Sequence, residues 1–256
     1  MNSTRQVRFA GRCDVGPNRE HNEDAIAVFD AGGLRYSDDV FAATLPADDG
    51  VALLVLDGMG GHSSGDHACR LARGFLAEQL VGRWPADEEA RAAWLASLLL
   101  GASARVNGDG TTHAGQGATV ALAVVVGEVV HVLHVGDVRV YLMRGDRLEP
   151  RTRDDTFINQ ARERGLDEAE LAKLPRNIIV QALGYGEPVP HVQTLRLEPG
   201  DGLLLCSDGL HEALTDVEIA AALRGRDPAD ACAVLVERAI AADSDDNISA
   251  LVARLE

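Results

Sequence analysis

Residues 51–71 read VALLVLDGMGGHSSGDHACRL: an apolar run stops abruptly at Asp57, and four of the next eight residues are glycine. A hydrophobic strand that delivers a carboxylate into such a flexible stretch admits three readings. An Asp-Gly pair is ordinary turn chemistry, but the same geometry suits a phosphate cradle or a metal ligand. The rest of the chain has to choose.

Downstream, Ala68, Leu71, Ala72, Phe75, Leu76 and Leu80 recur at three and four residues, the stripe of an amphipathic helix. A second helix is expected over about 86–106, with Ala93, Trp94, Leu98 and Ala102 on its buried face. Upstream, QVRFAGRCDV and DAIAVFD read as strands, and the stretch 31–50 between Asp24 and Asp57 reads as an extended hairpin loop. After a Gly-rich break, ATVALAVVV, VVHVLHV and VRVYLM are strands; in the last, Val138, Val140 and Leu142 alternate with Arg139, Tyr141 and Met143, the period of a half-buried strand. A polar excursion at about 151–190 precedes the strands VQTLRLE and GLLLCSD, two helices around 216–224 and 228–242, and a last strand NISALVARL. Strands and helices come in blocks, without strict alternation or linkers. That predicts one α+β domain over residues 1–256, with mostly antiparallel sheets and helices packed outside.

Hydrophobic residues make up 46% and charged residues 25% of the 256, the balance of a folded rather than a disordered chain. A net charge of −16 repels phosphate backbones and anionic lipid, so neither nucleic acid nor membrane is an expected partner. Cys13, Cys69, Cys206 and Cys232 are too scattered for a zinc site or a disulfide framework; buried reduced thiols in a cytoplasmic protein are expected. The N-terminus has no apolar core of a signal peptide, and the longest apolar stretch is broken by Gly127 and Glu128 into two strands.

Asp57 is not alone. Asp24, Asp137, Asp208 and Asp246 also stand at the ends of apolar strands, where one sheet edge can gather them. Converging carboxylates repel unless cations lie between them, and an all-oxygen set suits Mg²⁺ or Mn²⁺. Neither HExxH nor a CxxC pair occurs, which disfavours zinc in this cluster.

DVGPNREHNEDA, VLDGMGGHSSGDHA, GATVALAVVVGEVVHVLHVGDVRVYLMRGDRL, LLLCSDGL and DDNISALV follow in the order found in the metal-dependent PP2C (PPM) family of protein serine/threonine phosphatases, and the chain resembles its compact bacterial type. The resemblance implies a four-layer αββα fold, an antiparallel β-sandwich flanked by helix pairs, with two Mn²⁺ or Mg²⁺ ions at one end and a third site beside them. By similarity Asp57 bridges the two core ions and the Gly58 carbonyl binds one. Asp208 and Asp246 complete the first; Asp24 and, through a water, Glu23 hold the second. Asp137 with Asp208 matches the third site, and Arg19 the phosphate-binding arginine; its ordinary reading is an ion pair with Glu20 or Glu23.

A phosphomonoester is hydrolysed by in-line attack, so positioning and charge stabilisation dominate. Two cations about 3.5–4 Å apart lower the pKa of a shared water and screen the phosphate. Where eukaryotic members place a histidine after the DG pair, this chain has Met59; His62 is the nearest candidate acid and His21 a second. Val138 replaces a common serine, TRDDT a DHS-like sequence, and Gln181 stands in place of an arginine. The last two lie in or near the 151–190 excursion, which corresponds to the family's flap and bears on substrate choice. The implied activity is a phosphoserine/phosphothreonine phosphatase opposing a bacterial Ser/Thr kinase, monomeric and without a membrane anchor. A pseudophosphatase that only binds phosphoproteins, and a phosphatase for small esters, are the alternatives.

Overall fold

The Val-, Ala- and Leu-rich runs form strands, and the segments with three- and four-residue apolar spacing form helices. In this computed structural model, which describes residues 5–60, 64–109, 116–175 and 178–256, the order begins β1 (Gln6–Asp14), β2 (Ala25–Asp30), β3 (Gly33–Tyr36), β4 (Val40–Pro46), β5 (Val51–Met59), α1 (Ser64–Gln79) and α2 (Glu88–Gly108). It continues with β6 (Gly117–Val126), β7 (Val129–Val135), β8 (Arg139–Arg144), β9 (Arg147–Pro150), α3 (Phe157–Glu163) and α4 (Glu168–Leu171). β10 (His191–Arg196), β11 (Gly202–Cys206), α5 (Asp208–His211), α6 (Asp216–Leu223), α7 (Pro228–Ala241) and β12 (Ile248–Leu255) follow.

The strands make two six-stranded antiparallel sheets, ordered β4-β1-β12-β11-β8-β9 and β10-β7-β6-β5-β2-β3. The period of two explains why the central strands are apolar throughout. In β5, Val51, Leu53 and Val55 enter the core between the sheets, while Ala52, Leu54 and Leu56 pack under α1 and α2. The other sheet is covered by α5, α6 and α7 through a third cluster around Leu204, Leu235 and Ile248. These are the four αββα layers.

Three expectations change. β8 is not half-buried: Val140 and Leu142 face the sandwich core, and Tyr141 and Met143 lie buried beneath the helices. The 31–50 stretch is not a hairpin loop, because β3 pairs with β2 in one sheet and β4 with β1 in the other. Tyr36 stacks on Phe41 at 5.6 Å and meets Phe9 edge-on at 5.5 Å, closing one side of the sandwich with aromatic area. On α2 the buried stripe is Leu95, Leu98, Leu99, Ala102 and Val106; Ala93 is exposed and Trp94 half-buried against Trp84. The four cysteines are buried free thiols, as expected. No helix among the described residues is long and apolar enough to cross a membrane.

The 151–190 excursion leaves from β9 and returns to β10. Its root is pinned where the Asp155 N–H donates to the Gly136 carbonyl at 2.9 Å and the Val180 N–H donates to the Asp155 carbonyl at 2.8 Å. The cores of the sheets thus fix the strand ends, and the polar segments are laid over them.

Candidate metal centre

Strand register brings the aspartates to one end of the sandwich. Ala25 faces Leu56, so carrying the β2–β5 register one residue further sets Asp24 beside Asp57. Cys206 faces Ala250, which places Asp208 and Asp246 just beyond the same end of the other sheet. Asp137 lies in the turn from β7 to β8, where the chain passes between sheets.

Proximity shows in the proton affinities of Asp57, Asp24, Asp137 and Asp208. Burial raises the Asp57 pKa well above the carboxylate range, and Asp208, Asp24, Asp137 and Asp246 add repulsion. Burial raises Asp24 likewise, Asp208 and Asp246 adding to it against hydrogen bonds from Ser207 and Ser249. Asp137 is pushed up to about 8 by burial, then by Asp208 and Asp154. Asp208 reaches about 6 through burial, Asp246 and Glu212, offset by its hydrogen bond with Asp57. Solvent reaches an edge of Asp24, Asp57 and Asp208, yet protein surrounds the rest of each carboxylate.

The residues fit a hard cation. Glu23 Oε1, Asp137 Oδ1 and Asp208 Oδ1 are buried without a hydrogen-bond partner, an arrangement that ordinary interiors avoid. All the donors are oxygens, the set that Mg²⁺ and Mn²⁺ prefer.

Backbone packing holds the cluster. A Cβ on Gly58 would lie 2.5 Å from the Gly65 carbonyl carbon and 2.7 Å from the Glu23 carbonyl oxygen, so only glycine lets β5 pass between α1 and the Glu23 segment. Gly209 is equally confined: its Cβ would collide with the Asn247 carbonyl.

Two polar residues beside the aspartates were not singled out by sequence reasoning, although both sit inside quoted motifs. Ser207 Oγ donates to Asp24 Oδ2 at 2.7 Å and accepts the Ser249 N–H at 3.0 Å. Asn247, 4% exposed, donates to the Val15 carbonyl at 2.8 Å and the His21 carbonyl at 2.9 Å, and its Oδ1 accepts the Glu23 N–H at 2.8 Å. It ties the Arg19 segment to the loop of Asp246. His211 also went unnoticed. It donates from Nε2 to the Asp137 carbonyl at 3.0 Å, and burial lowers its pKa to about 4, so it stays neutral.

Arg19 reaches the rim. Its Nη2 is 2.5 Å from Asp246 Oδ2 and its Nε donates to the Asp245 carbonyl at 2.9 Å, so its partner is neither Glu20 nor Glu23. Together with Asp208, Glu212, Asp243, Asp245 and Asp246 it lines a cavity of about 450 Å³. Val138 is wholly buried in the sandwich core, and Gln181 Oε1 accepts the Val189 N–H at 2.7 Å. His21 is exposed, and His62 lies outside the described residues.

The model of the Protein phosphatase 2C family matches residues 31–225, which include Asp57, Asp137 and Asp208. The chain belongs to the protein phosphatase 2C family. Serine/threonine protein phosphatase PstP of Mycobacterium tuberculosis is 30% identical over 260 residues, covering 96% of this chain and 45% of that protein. The chain therefore spans less than half of that relative's length. Protein phosphatase PhpP of Streptococcus pneumoniae is 32% identical over 243 residues, with 92% of each chain covered. The solved catalytic domain of PstP in complex with two manganese ions superposes with a TM-score of 0.77 at 29% identity, covering 98% of this chain and 99% of that one.

Proposed function

We propose that the chain is a Mn²⁺- or Mg²⁺-dependent phosphatase that removes phosphate from phosphoserine and phosphothreonine in proteins. The observation that carries this reading is the buried aspartate cluster, in which Asp208, Asp24, Asp137 and Asp246 all act on the buried Asp57 carboxylate, with Arg19 paired to Asp246 at its rim.

When bound, the ions supply Lewis-acid activation of water and neutralise phosphate charge. Asp57, on which Asp208, Asp24, Asp137 and Asp246 all act, would be the ligand that two ions hold in common. Asp208, Asp246 and the Gly58 carbonyl would complete one; Asp24 and, through water, Glu23 the other. Asp137 and Asp208 would hold a third. Ser207 keeps Asp24 aimed inward, and Asn247 keeps the segments of Arg19 and Asp246 at a fixed separation. Arg19, preoriented by Asp246, presents a planar fork to phosphate oxygens, a role lysine copies poorly. His62 remains the proposed proton donor to the leaving alkoxide.

The phosphoprotein substrates would include those of a bacterial Ser/Thr kinase, met by a monomeric cytoplasmic enzyme of one catalytic domain with its excursion as a flap. A purely binding role is not favoured, because every ligand position of the set is filled. Phosphate release from a phosphothreonine peptide with Mn²⁺ tests the reading. EDTA should abolish turnover and Asp208→Asn should lower it at least about tenfold; full activity in either case sinks it.

A further inference from the structure

Among the described residues, the side chains that bring three His, Cys, Asp or Glu ligand atoms within 4.8 Å of one another are His134, Asp155 and His191. We propose that these three form a second kind of metal site, which takes a zinc-class divalent ion and fastens the root of the 151–190 excursion to the edge of the sheet.

Register creates the pair. His134 on β7 and His191 on the edge strand β10 are direct cross-strand partners, and their rings lie 4.7 Å apart at 17°. Asp155 enters from the excursion, with His191 Nε2 2.9 Å from its Oδ1. Two of the three groups are already held by outer contacts. His134 Nε2 faces the Arg153 carbonyl at 2.8 Å, so that nitrogen carries the proton and Nδ1 keeps its lone pair. The second oxygen of Asp155 accepts the Gly136 N–H at 2.9 Å, leaving Oδ1 for an ion. A ligating imidazole whose other nitrogen meets a carbonyl, beside a carboxylate that is itself hydrogen-bonded, is how metal ligands are usually held. Burial also lowers the His134 pKa, which favours the neutral form that binds metal.

Two imidazoles and one carboxylate suit Zn²⁺, with Co²⁺ as its spectroscopic substitute; Mg²⁺ and Mn²⁺ favour the all-oxygen aspartate cluster. His134 is only 5% exposed and the Asp155 side chain 9%, whereas the His191 side chain is 50% exposed on its edge strand. His191 therefore has room to turn toward the ion, and solvent supplies a fourth ligand. Binding replaces the His191–Asp155 hydrogen bond with two metal bonds, and the proton of the neutral His191 ring sits on Nδ1 while Nε2 gives its lone pair to the ion. Because Asp155 is bonded to both backbone groups of Gly136, the ion would stiffen the turn that leads to Asp137.

The site stands whether or not the aspartate cluster hydrolyses phosphate, and binding alone tests it. The full-length protein, His191→Ala and Asp155→Asn are each titrated with Zn²⁺ against a chromophoric chelator in excess Mn²⁺. Wild type should take up one more zinc per chain than either variant, or bind that zinc more than about tenfold tighter. Its Co²⁺ form should show a visible nitrogen-ligand band that both variants lack. Equal zinc stoichiometry, affinity and Co²⁺ spectra in all three proteins would overturn the proposal. If His191→Ala melts early in EDTA, His191→Gln carries the same comparison, since it keeps the side-chain bulk and loses the imidazole.

Discussion

Asp137→Asn should stabilise the protein once divalent cations are stripped away, and the size of the gain follows from where the side chain sits. Asp137 is 6% exposed, one of its oxygens has no partner, and Asp208, Asp154 and Glu212 are charged neighbours that raise its pKa. Its pKa rises from 3.8 to about 8 in the fold. A carboxyl whose folded pKa is raised favours the native state most below the unfolded pKa, and that contribution is lost as pH rises through the folded value. At pH 7 the unfolded chain has released the proton while the fold still holds it, a cost of about 4 kcal/mol at ~1.36 kcal/mol per unit. Asparagine is neutral in both states and has nearly the same shape. The acid and the amide both leave a polar atom without a partner, so that cost cancels. The assay is urea unfolding in EDTA at pH 4.5, 6 and 7.5. With a slope of about 2–3 kcal/mol/M, the variant's midpoint should exceed wild type by about 1–2 M at pH 7.5 and by little at pH 4.5. A midpoint at pH 7.5 that is unchanged or lower, or a gain of equal size at every pH, would refute the reasoning.

Asn247→Ala removes one donor group and one acceptor that serve three backbone groups, and should cost about 3 kcal/mol at roughly 1 kcal/mol per bond; a loss below about 0.5 kcal/mol in the same urea assay counts against the clamp. Gly58→Ala places a methyl group against the Gly65 and Glu23 backbones, for an overpacking cost of about 1–3 kcal/mol. It should also weaken Mn²⁺ binding by calorimetry, and unaltered affinity would mean that the Gly58 backbone does not set the site.

The five aspartates were legible because each ends an apolar run, and an apolar run announces a strand whose end the sheet must place. The helix over 64–79 was legible through its stripe for a similar reason. The supporting residues were not. Ser207 and Asn247 act through backbone groups of segments far away in the chain, and no local period encodes that. The 31–50 stretch misled because β3 is only four residues long and β4 turns just Phe41, Ala43 and Leu45 inward from an otherwise exposed edge, so pairing with β2 and β1 and the contact between Tyr36 and Phe41 do much of the holding. Tyr141 and Met143 read as the outer face of β8 because nothing local reveals that α6 and α7 return to cover it. The His134–His191 pair is invisible for a related reason. Fifty-odd residues separate its members, and only the β7–β10 register makes them neighbours.

The collision that a side chain at Gly209 would meet has a mechanical meaning. Gly209 follows Asp208, and the carbonyl that it touches follows Asp246, so the two loops rest on each other main chain to main chain. The Ser244 hydroxyl donates to the Gly209 carbonyl at 2.8 Å and fastens them a second time. Asp208 and Asp246 therefore behave as two teeth of one jaw. A strain that shifts one loop must carry the other with it, so the gap between those carboxylates is preserved even when their distance from Asp57 on the opposite sheet changes.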